Sequence, residues 1–260
     1  MRLALRVILM IASALFILII IIPIIAVLVS VSPSELVIRL TTPAVVDSLK
    51  LSLLASTVST VFVLILATPI SYALARYNFR GRWLLDAIVD IPMILPPAVA
   101  GLALLLAFAP RGLVGSALAS RGFILPGSMW AVVMAEIFVS SPFYIRASKA
   151  AFSGVNQRII DSARILSASD ANVFLKVTLP LAWKGVFAGL VMCWARSLGE
   201  FGATLMFAGN LPGVTQTMPL AIYVALSSDL QAAVVLSVIM ILFSFILLAV
   251  VKYLGGQKVF

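Results

Sequence analysis

The chain has 260 residues, of which 63% are hydrophobic and only 10% are charged, and its formal net charge is +9. Soluble domains are about 45–50% apolar and about 25% charged, so this composition excludes an ordinary soluble domain. The sequence contains no histidine, which excludes haem ligation by His, His-based zinc chemistry and Ser-His-Asp catalysis. The positive charges form no dense stripe of the kind that follows nucleic-acid phosphates. The sequence therefore indicates an integral membrane protein.

Six apolar stretches are long enough to cross a bilayer, because about 20 apolar residues span a hydrocarbon core of about 30 Å. The predicted spans cover residues 7–29, 51–75, 89–109, 128–149, 185–208 and 230–251. The first is expected to be a retained anchor, since its apolar core is too long for a signal peptide and no small-residue cleavage motif follows it. A further stretch, 211–228, is broken by Pro and Gly and is expected to form an extracytoplasmic loop with a short helix.

The distribution of Lys and Arg predicts the orientation of these spans. If the N-terminus is cytoplasmic, thirteen Lys and Arg residues lie inside and only four lie outside. Cytoplasmic loops carry the excess of positive charge, so both termini are predicted to be cytoplasmic. The chain is thus predicted to be one all-α transmembrane domain, 1–260, with six spans and one long cytoplasmic loop, 150–184. No internal repeat supports the inverted-repeat architecture of many secondary transporters.

The long cytoplasmic loop has the pattern of two short helices. Residues 157–166 place an apolar stripe on one face of a helix, and the stripe comprises Ile159, Ile160, Ala163 and Leu166. Ser169 is a predicted N-cap for a second helix over 170–176. Pro180 is expected to end that helix, and Gly185 is expected to begin the fifth span.

This loop resembles the coupling loop of ABC-importer permeases, whose motif is E-A-A-x-x-x-G followed by I-x-L-P. Here the sequence reads DSARILSAS over 161–169 and VTLP over 177–180, with Asp161, Ser162 and Ser167 in the places of Glu, Ala and Gly. The resemblance implies contact with an ATP-hydrolysing subunit through Asp161, Ser162, Ala163, Arg164, Ser167, Ser169, Leu179 and Pro180. An amphipathic helix lying in the lipid interface is the alternative. It explains the apolar stripe but neither the second helix nor the Leu-Pro ending.

Two charged residues fall inside the fifth predicted span. Arg196 lies 11 residues after Gly185, which is about 17 Å along a helix and close to mid-bilayer. An Arg at that depth must face protein, water or a partner charge. Glu200 is one helical turn away and can supply that charge, but Glu136 and Asp90 are also candidates. A self-neutralising pair and a role beside an anion pathway both remain open.

The sequence around Arg196 makes the resemblance more specific. The segments RSLGEFGATLMFAGN (196–210), TQTMPLAIY (215–223), PPAVAGLALLL (96–106) and PRGLVG (110–115) are similar to molybdate permeases and their sulfate and tungstate relatives. The similarity runs from about residue 50 to the C-terminus. It implies the type I importer permease fold and import of molybdate or a similar tetrahedral oxyanion. Candidate pathway residues are Arg196, Glu200, Thr204, Asn210 and Thr215, although loop capping explains the last three equally well.

The chain lacks the nucleotide-binding motif G-x-x-x-x-G-K-[ST], so ATP and Mg are expected to bind a partner subunit. The chain itself is then a permease and not an enzyme, with no metal site or cofactor of its own. The resemblance implies an assembly in the prokaryotic inner membrane, made of two copies of this chain, two ABC ATPase subunits and an extracytoplasmic oxyanion-binding protein. No nucleic-acid partner is expected.

Two alternatives to the molybdate importer remain. Within the same class, the substrate could be sulfate or tungstate, since the binding protein largely selects it. In a different class, an ion-coupled carrier or channel would work without an ATPase and use Arg196, Glu200, Glu136 and Asp90 as an ion relay. An intramembrane enzyme is disfavoured because no nucleophile–base pair is recognisable.

Overall fold

The computed structural model describes residues 2–165 and 169–255, and the secondary structure within them is helical. The helices are, in chain order, α1 (Arg2–Val29), α2 (Pro33–Leu40), α3 (Pro43–Arg76), α4 (Arg82–Ile94), α5 (Pro97–Phe108), α6 (Gly115–Ala119), α7 (Met129–Ser153), α8 (Gln157–Ile165), α9 (Asp170–Val173), α10 (Leu179–Leu198), α11 (Gly202–Ala208), α12 (Met218–Ser228) and α13 (Leu230–Gly255). A π-helical turn, Phe174–Thr178, joins α9 to α10. The all-α fold class is confirmed.

Within the described residues, three helical segments are individually long and apolar enough to cross a membrane: Leu5–Val29, Pro43–Arg76 and Asp170–Leu198. The second is α3, which has 34 residues and is therefore about 51 Å long, well over the thickness of a hydrocarbon core. It begins eight residues before the predicted span, with Thr42 as the N-cap and Pro43 as the first helical residue. Proline is favourable at this position because its φ is already helical and the first N–H groups of a helix have no intrahelical partner.

The third predicted span, 89–109, is not one continuous helix. Instead α4 and α5 meet at an angle of 115°. Leu95 and Pro96, between them, have extended backbone with ψ of 134° and 136°. Each precedes a proline, and the proline ring sterically disfavours helical backbone in the residue before it. The consecutive prolines therefore turn the chain sharply within the stretch that we expected to be one span.

The helix in the region of the fifth predicted span, 185–208, differs from that span at both ends. The helix does not stop at Pro180 but continues from Asp170 to Leu198. Leu179 donates its N–H to the carbonyl of Phe174, five residues back, and Pro180 lies in the first turn after this wider segment. Proline is tolerated where the regular hydrogen-bond ladder restarts. At the other end the helix breaks at Gly199, and α11 begins after Phe201.

The core lies between α3, α7 and α10, and small residues allow these helices to approach closely. A Cβ on Gly185 would lie 2.5 Å from the Cβ of Ala151, and one on Gly189 would lie 2.9 Å from the Cβ of Ala147. Packing therefore explains both glycines. Gly202 packs in the same way on Pro97, at 2.6 Å, which brings α11 against α5.

In the C-terminal part of the chain, α12 and α13 pack on the N-terminal part of α3. The short helix expected within 211–228 is present as α12. Its first N–H, that of Met218, donates to the buried hydroxyl of Ser52 on α3 at 2.7 Å. This bond satisfies a helix-terminal donor that has no partner within its own helix.

Candidate functional site

The first half of loop 150–184 contains α8, which sits on the end of the helical core. The Asn156 side chain accepts the N–H of Arg158 at 2.9 Å and so caps the start of α8. Ile160 is 1% exposed, and Ala163 packs against the same apolar cluster. Ile159 is 46% exposed, so the predicted apolar stripe is narrower than expected, and Leu166 lies outside the described residues. Ile160 and Ala163 therefore attach one face of α8 to the core, and the rest of its surface is exposed.

The polar coupling candidates lie on that free surface. Asp161, Ser162 and Arg164 are exposed. The Asp161 carboxylate accepts the amide of Gln157 at 2.9 Å, and Arg164 forms an ion pair with Asp170 at 3.0 Å. The hydrogen bond that Arg164 donates to the Asp170 carboxylate raises the pKa of the Arg164 guanidinium. An exposed carboxylate on a short helix, held by only one neighbour, is well placed to meet a partner protein.

The second half of the loop begins as expected. The Ser169 hydroxyl accepts the N–H of Asn172 at 3.3 Å, which confirms the predicted N-cap. Leu179 packs against the core below α8, whereas Pro180 is exposed. Ser167, the residue in the place of the motif glycine, lies outside the described residues. The loop therefore combines buried apolar anchors with exposed polar groups on both sides of α9.

Within the predicted membrane region, Arg196 pairs with Glu200. The Nη2 of Arg196 lies 2.7 Å from Oε2 of Glu200, and their side chains are 29% and 1% exposed. The other carboxylate oxygen of Glu200 accepts the N–H of Ala203 at 2.8 Å and so caps the start of α11. Glu200 thus has two structural duties, and of the three acidic residues that the sequence left open it is the one that contacts Arg196.

The other two acidic candidates have different surroundings. Asp90 of α4 binds Arg146 of α7. Asp86, which is also on α4, binds both Arg146, at 2.9 Å, and Lys149, at 2.6 Å. This half-buried ion-pair network joins α4 to α7, and the sequence analysis did not anticipate it. The signal was present as acidic and basic residues at helical spacing on two separate helices, but nothing local indicated that those helices touch.

Glu136 is 2% exposed in the middle of α7. Its Oε2 has no hydrogen-bond partner among the residues that the structure describes. One turn further along α7, a hydroxyl network crosses three helices: Ser59 of α3 to Ser197 of α10 at 3.2 Å, and Ser197 to Ser140 of α7 at 2.9 Å. A buried polar network of this kind fixes the relative positions of the helices that share it.

Arg196 also lines a cavity of about 140 Å³ at the break between α4 and α5. The remaining lining is apolar and includes Pro92, Leu95, Pro97 and Phe143. The guanidinium of Arg196 therefore presents a partly exposed positive charge to a small apolar cavity. Its ion pair with Glu200 offsets part of that charge. This arrangement can attract an anion without holding it tightly.

The remaining pathway candidates are not equivalent. Thr215 is buried, and its hydroxyl accepts the N–H of Leu211 at 2.9 Å, which is turn capping. Thr204 is buried in α11, and its hydroxyl has no partner among the described residues; the same holds for the amide oxygen of Asn210. Thr204 and Asn210 thus keep unused hydrogen-bonding capacity, whereas Thr215 has a structural use.

Residues 67–257 match the family of binding-protein-dependent transport system inner membrane components, and the chain belongs to this family. It is therefore a multi-pass membrane protein of a transport system that works with a substrate-binding protein. The match includes loop 150–184, the Arg196–Glu200 pair and the broken α4–α5 segment.

Several curated relatives align over most of the chain. The probable transport system permease protein NifC of Clostridium pasteurianum is 38% identical over 211 residues, 80% of this chain and 73% of that protein. The molybdenum transport system permease protein ModB of Mycobacterium tuberculosis is 39% identical over 221 residues, 84% of this chain and 83% of the relative. ModB of Escherichia coli K12 is 39% identical over 174 residues, 66% of this chain and 76% of its own length.

Solved structures share the fold at low sequence identity. A bacterial ABC transporter that imports the acidic polysaccharide alginate superposes with a TM-score of 0.76 at 15% identity, covering 95% of this chain and 93% of the other. The alginate transporter in complex with its alginate-bound periplasmic protein superposes with a TM-score of 0.77 at 14% identity, covering 98% and 94%. At this identity the likeness concerns the fold alone.

Proposed function

We propose that this chain is the permease subunit of an ATP-driven ABC importer for molybdate or a similar tetrahedral oxyanion. The observation that carries the proposal is the alignment, at 37–39% identity over most of the chain, with permeases named for molybdenum transport. Sulfate or tungstate is the second candidate substrate, since all three are tetrahedral dianions of the same shape. ATP hydrolysis belongs to a separate subunit, where ATP and Mg bind.

The proposed assembly lies in the prokaryotic inner membrane and has two copies of this chain, two ATPase subunits and an oxyanion-binding protein outside. Each copy crosses the membrane six times with both termini inside, and α4 and α5 together count as the third crossing. The excess of Lys and Arg on the cytoplasmic side supports this orientation. It places α8 and α9 on the same side as the ATPase.

Coupling in this proposal passes through the exposed face of α8. ATP binding draws the two ATPase subunits together, the coupling loops move with them, and the permease opens toward the docked binding protein; hydrolysis returns it to the inward-open state. The geometry supports the loop's part in this cycle, because Ile160 is buried under α8 while Asp161, Ser162 and Arg164 face outward. A helix fixed on one side and free on the other can transmit a push to the core.

We propose that Arg196 lies beside the translocation pathway and that its ion pair with Glu200 partly neutralises its charge. Thr204, Asn210 and Thr215 are the candidates nearer the extracytoplasmic opening of the pathway. An unpaired Arg in a low-dielectric site would bind a dianion too tightly for transit. A neutralised pair beside a cavity large enough for one oxyanion gives a weaker attraction, which suits an intermediate that must leave.

The testing experiment is purification of the chain from its native membrane with its associated subunits, followed by ATPase assays in liposomes. We expect a co-purifying ATPase whose turnover rises when the binding protein carries molybdate. A larger response to sulfate or tungstate would change the substrate and keep the class. Transport by the chain alone, driven by an ion gradient, would reject the importer and favour the ion-coupled carrier, for which Glu136 and the Arg196–Glu200 pair are the relay candidates.

A further inference from the structure

Arg76, the last residue of α3, joins three segments of the chain at the base of the cytoplasmic loop. Its Nη2 donates to the carbonyls of Phe152, at 2.5 Å, and Val155, at 2.8 Å, where α7 ends. Its Nη1 donates to Oε1 of Gln157, at 3.0 Å, in the first turn of α8. A cation at a helix C-terminus satisfies carbonyls that lack helical partners and complements the helix dipole.

Gln157 extends this contact to Asp161. While its Oε1 accepts from Arg76, its Nε2 donates to Oδ1 of Asp161 at 2.9 Å. The two bonds fix the orientation of the amide, because the reverse orientation would set its NH₂ against the guanidinium and its oxygen against the carboxylate. The carboxylate on the free face of α8 is therefore connected, through one amide, to the ends of α3 and α7.

The apolar contacts below α8 supply the second support. Ile160 is buried in the cluster that includes Val173 and Phe152. Aromatic rings from three elements meet in this region: Tyr72 lies 5.6 Å from Phe152 and 4.8 Å from Phe174, centroid to centroid. Ile160 and Ala163 hold one face of α8 on this cluster, but these two apolar contacts restrain rotation about the helix axis only weakly. The bond from Arg76 to Gln157 restrains that rotation.

From this geometry we infer that Arg76 is a positioning residue of the coupling loop, which orients Asp161 through Gln157 and transmits the movement of α8 to the ends of α3 and α7. The inference rests on the proposed function, since it assumes that α8 receives the movement of an ATPase. Arg76 itself has two separable tasks. Its bonds to Phe152 and Val155 stabilise the fold, whereas its bond to Gln157 serves coupling.

The decisive variant is Gln157→Leu, which leaves both carbonyl bonds of Arg76 in place and removes only the link to Asp161. In liposomes with the full transporter, we expect the ATP hydrolysed per molybdate imported to rise roughly 3- to 10-fold. Asp161→Ala, which removes the acceptor of the Gln157 amide, should give a similar rise, and the double variant should be no worse than either single variant. Arg76→Lys keeps the charge at the end of α7 and should preserve insertion without restoring the wild-type ratio.

Hydrogen exchange in the purified chain supplies a readout that needs no ATPase. The amides of residues 158–165 should exchange faster in Gln157→Leu and Arg76→Lys than in wild type. Arg80→Gln, which removes an exposed Arg four residues further along, is the matched control and should change neither exchange nor the transport ratio.

The outcomes separate this inference from the proposed function. A wild-type transporter that is coupled to ATP, together with a Gln157→Leu variant at the wild-type ratio, overturns the inference alone. Faster exchange with an unchanged ratio also overturns it, because Arg76 would then act only on stability. Transport by the wild-type chain without ATP would reject the proposed function. It would also reject the coupling role of Arg76, whatever the variants show.

Discussion

Loop 150–184 and the middle of the helical core are both rich in polar residues, but they use them in opposite ways. In the loop, Asp161 and Arg164 point away from the protein, and each is held by a single neighbour. In the core, Glu200 is buried, binds Arg196 and caps α11. Hydroxyls from α3, α7 and α10 likewise bond to one another.

This difference indicates what each region contributes. Buried polar groups are costly unless they are satisfied, so the paired polar residues of the core, such as Glu200 and Ser197, stabilise the fold whether or not they also serve transport. Exposed groups carry no such requirement, and their pattern is free to suit a partner. Substitutions in the core should therefore change stability most, and substitutions in the loop should change coupling most.

The largest effect on stability is expected for Arg196→Ala, which leaves Glu200 buried without its cation. Removing one partner of a buried pair costs about 3–5 kcal/mol, and the exposed fraction of Arg196 places this variant toward the lower end. The double variant Arg196→Ala, Glu200→Gln should recover most of the loss, because Gln is neutral and keeps an acceptor for the N–H of Ala203. Thermal unfolding of the detergent-purified chain measures both variants.

Combining Arg196→Ala with Glu200→Ala in place of Glu200→Gln separates the two duties of Glu200. Glu200→Ala removes the cap of α11 as well as the pair, and loss of a cap costs about 1 kcal/mol. The double alanine variant should therefore be less stable than the variant that carries Gln. If the two are equally stable, Glu200 does not cap α11, and if neither recovers, the pair model is wrong.

A smaller effect is expected for Gly185→Ala, at the contact between α7 and α10. The new Cβ would overlap the Cβ of Ala151, and overpacking of this kind costs about 1–3 kcal/mol. Gly199→Ala is the matched control, because the nearest atom to its Cβ would be the Ala195 carbonyl oxygen at 3.7 Å. A lower midpoint of unfolding for the first variant alone would verify the close approach; equal midpoints would contradict it.

The smallest effect on stability and the largest on coupling are expected for Asp161→Lys. The residue is exposed, so unfolding should change by no more than about 0.5 kcal/mol. Reversing its charge removes the bond from Gln157 and should uncouple molybdate uptake from ATP hydrolysis in the reconstituted transporter. Asp161→Glu, which restores the motif residue, should remain coupled. Normal coupled uptake by the Lys variant would exclude this side chain from the mechanism.

Local sequence signals predicted much of the architecture. Apolar length alone located the regions now seen as α1, α3, α7 and α13, and Ser169 was correctly predicted as an N-cap, because each of these features depends on neighbours within a few residues. The similarity to permeases located the loop for the same reason, since its motif is a local string of letters.

The wrong predictions concern prolines whose effect on the helix depends on the neighbouring residues. Pro180 was expected to end a helix, but the π-helical turn before it removes the need for the missing N–H. Pro96 and Pro97 were placed inside a span, but together they turn the chain by 115°. At Pro180 the hydrogen bonds of the preceding turn decided the result, whereas at Pro96 and Pro97 the steric effect of each ring on the residue before it decided it.

The sequence by itself determined that this protein crosses a membrane, that it is helical, and which family it resembles, because hydrophobic length and short motifs are properties of contiguous residues. Only the tertiary structure decided that Arg196 pairs with Glu200, that Arg146 holds α4 against α7, and that Arg76 reaches α8. Contacts between charged groups depend on which helices become neighbours. That arrangement follows from packing small residues such as Gly185 and Gly189 against α7, which no single segment encodes.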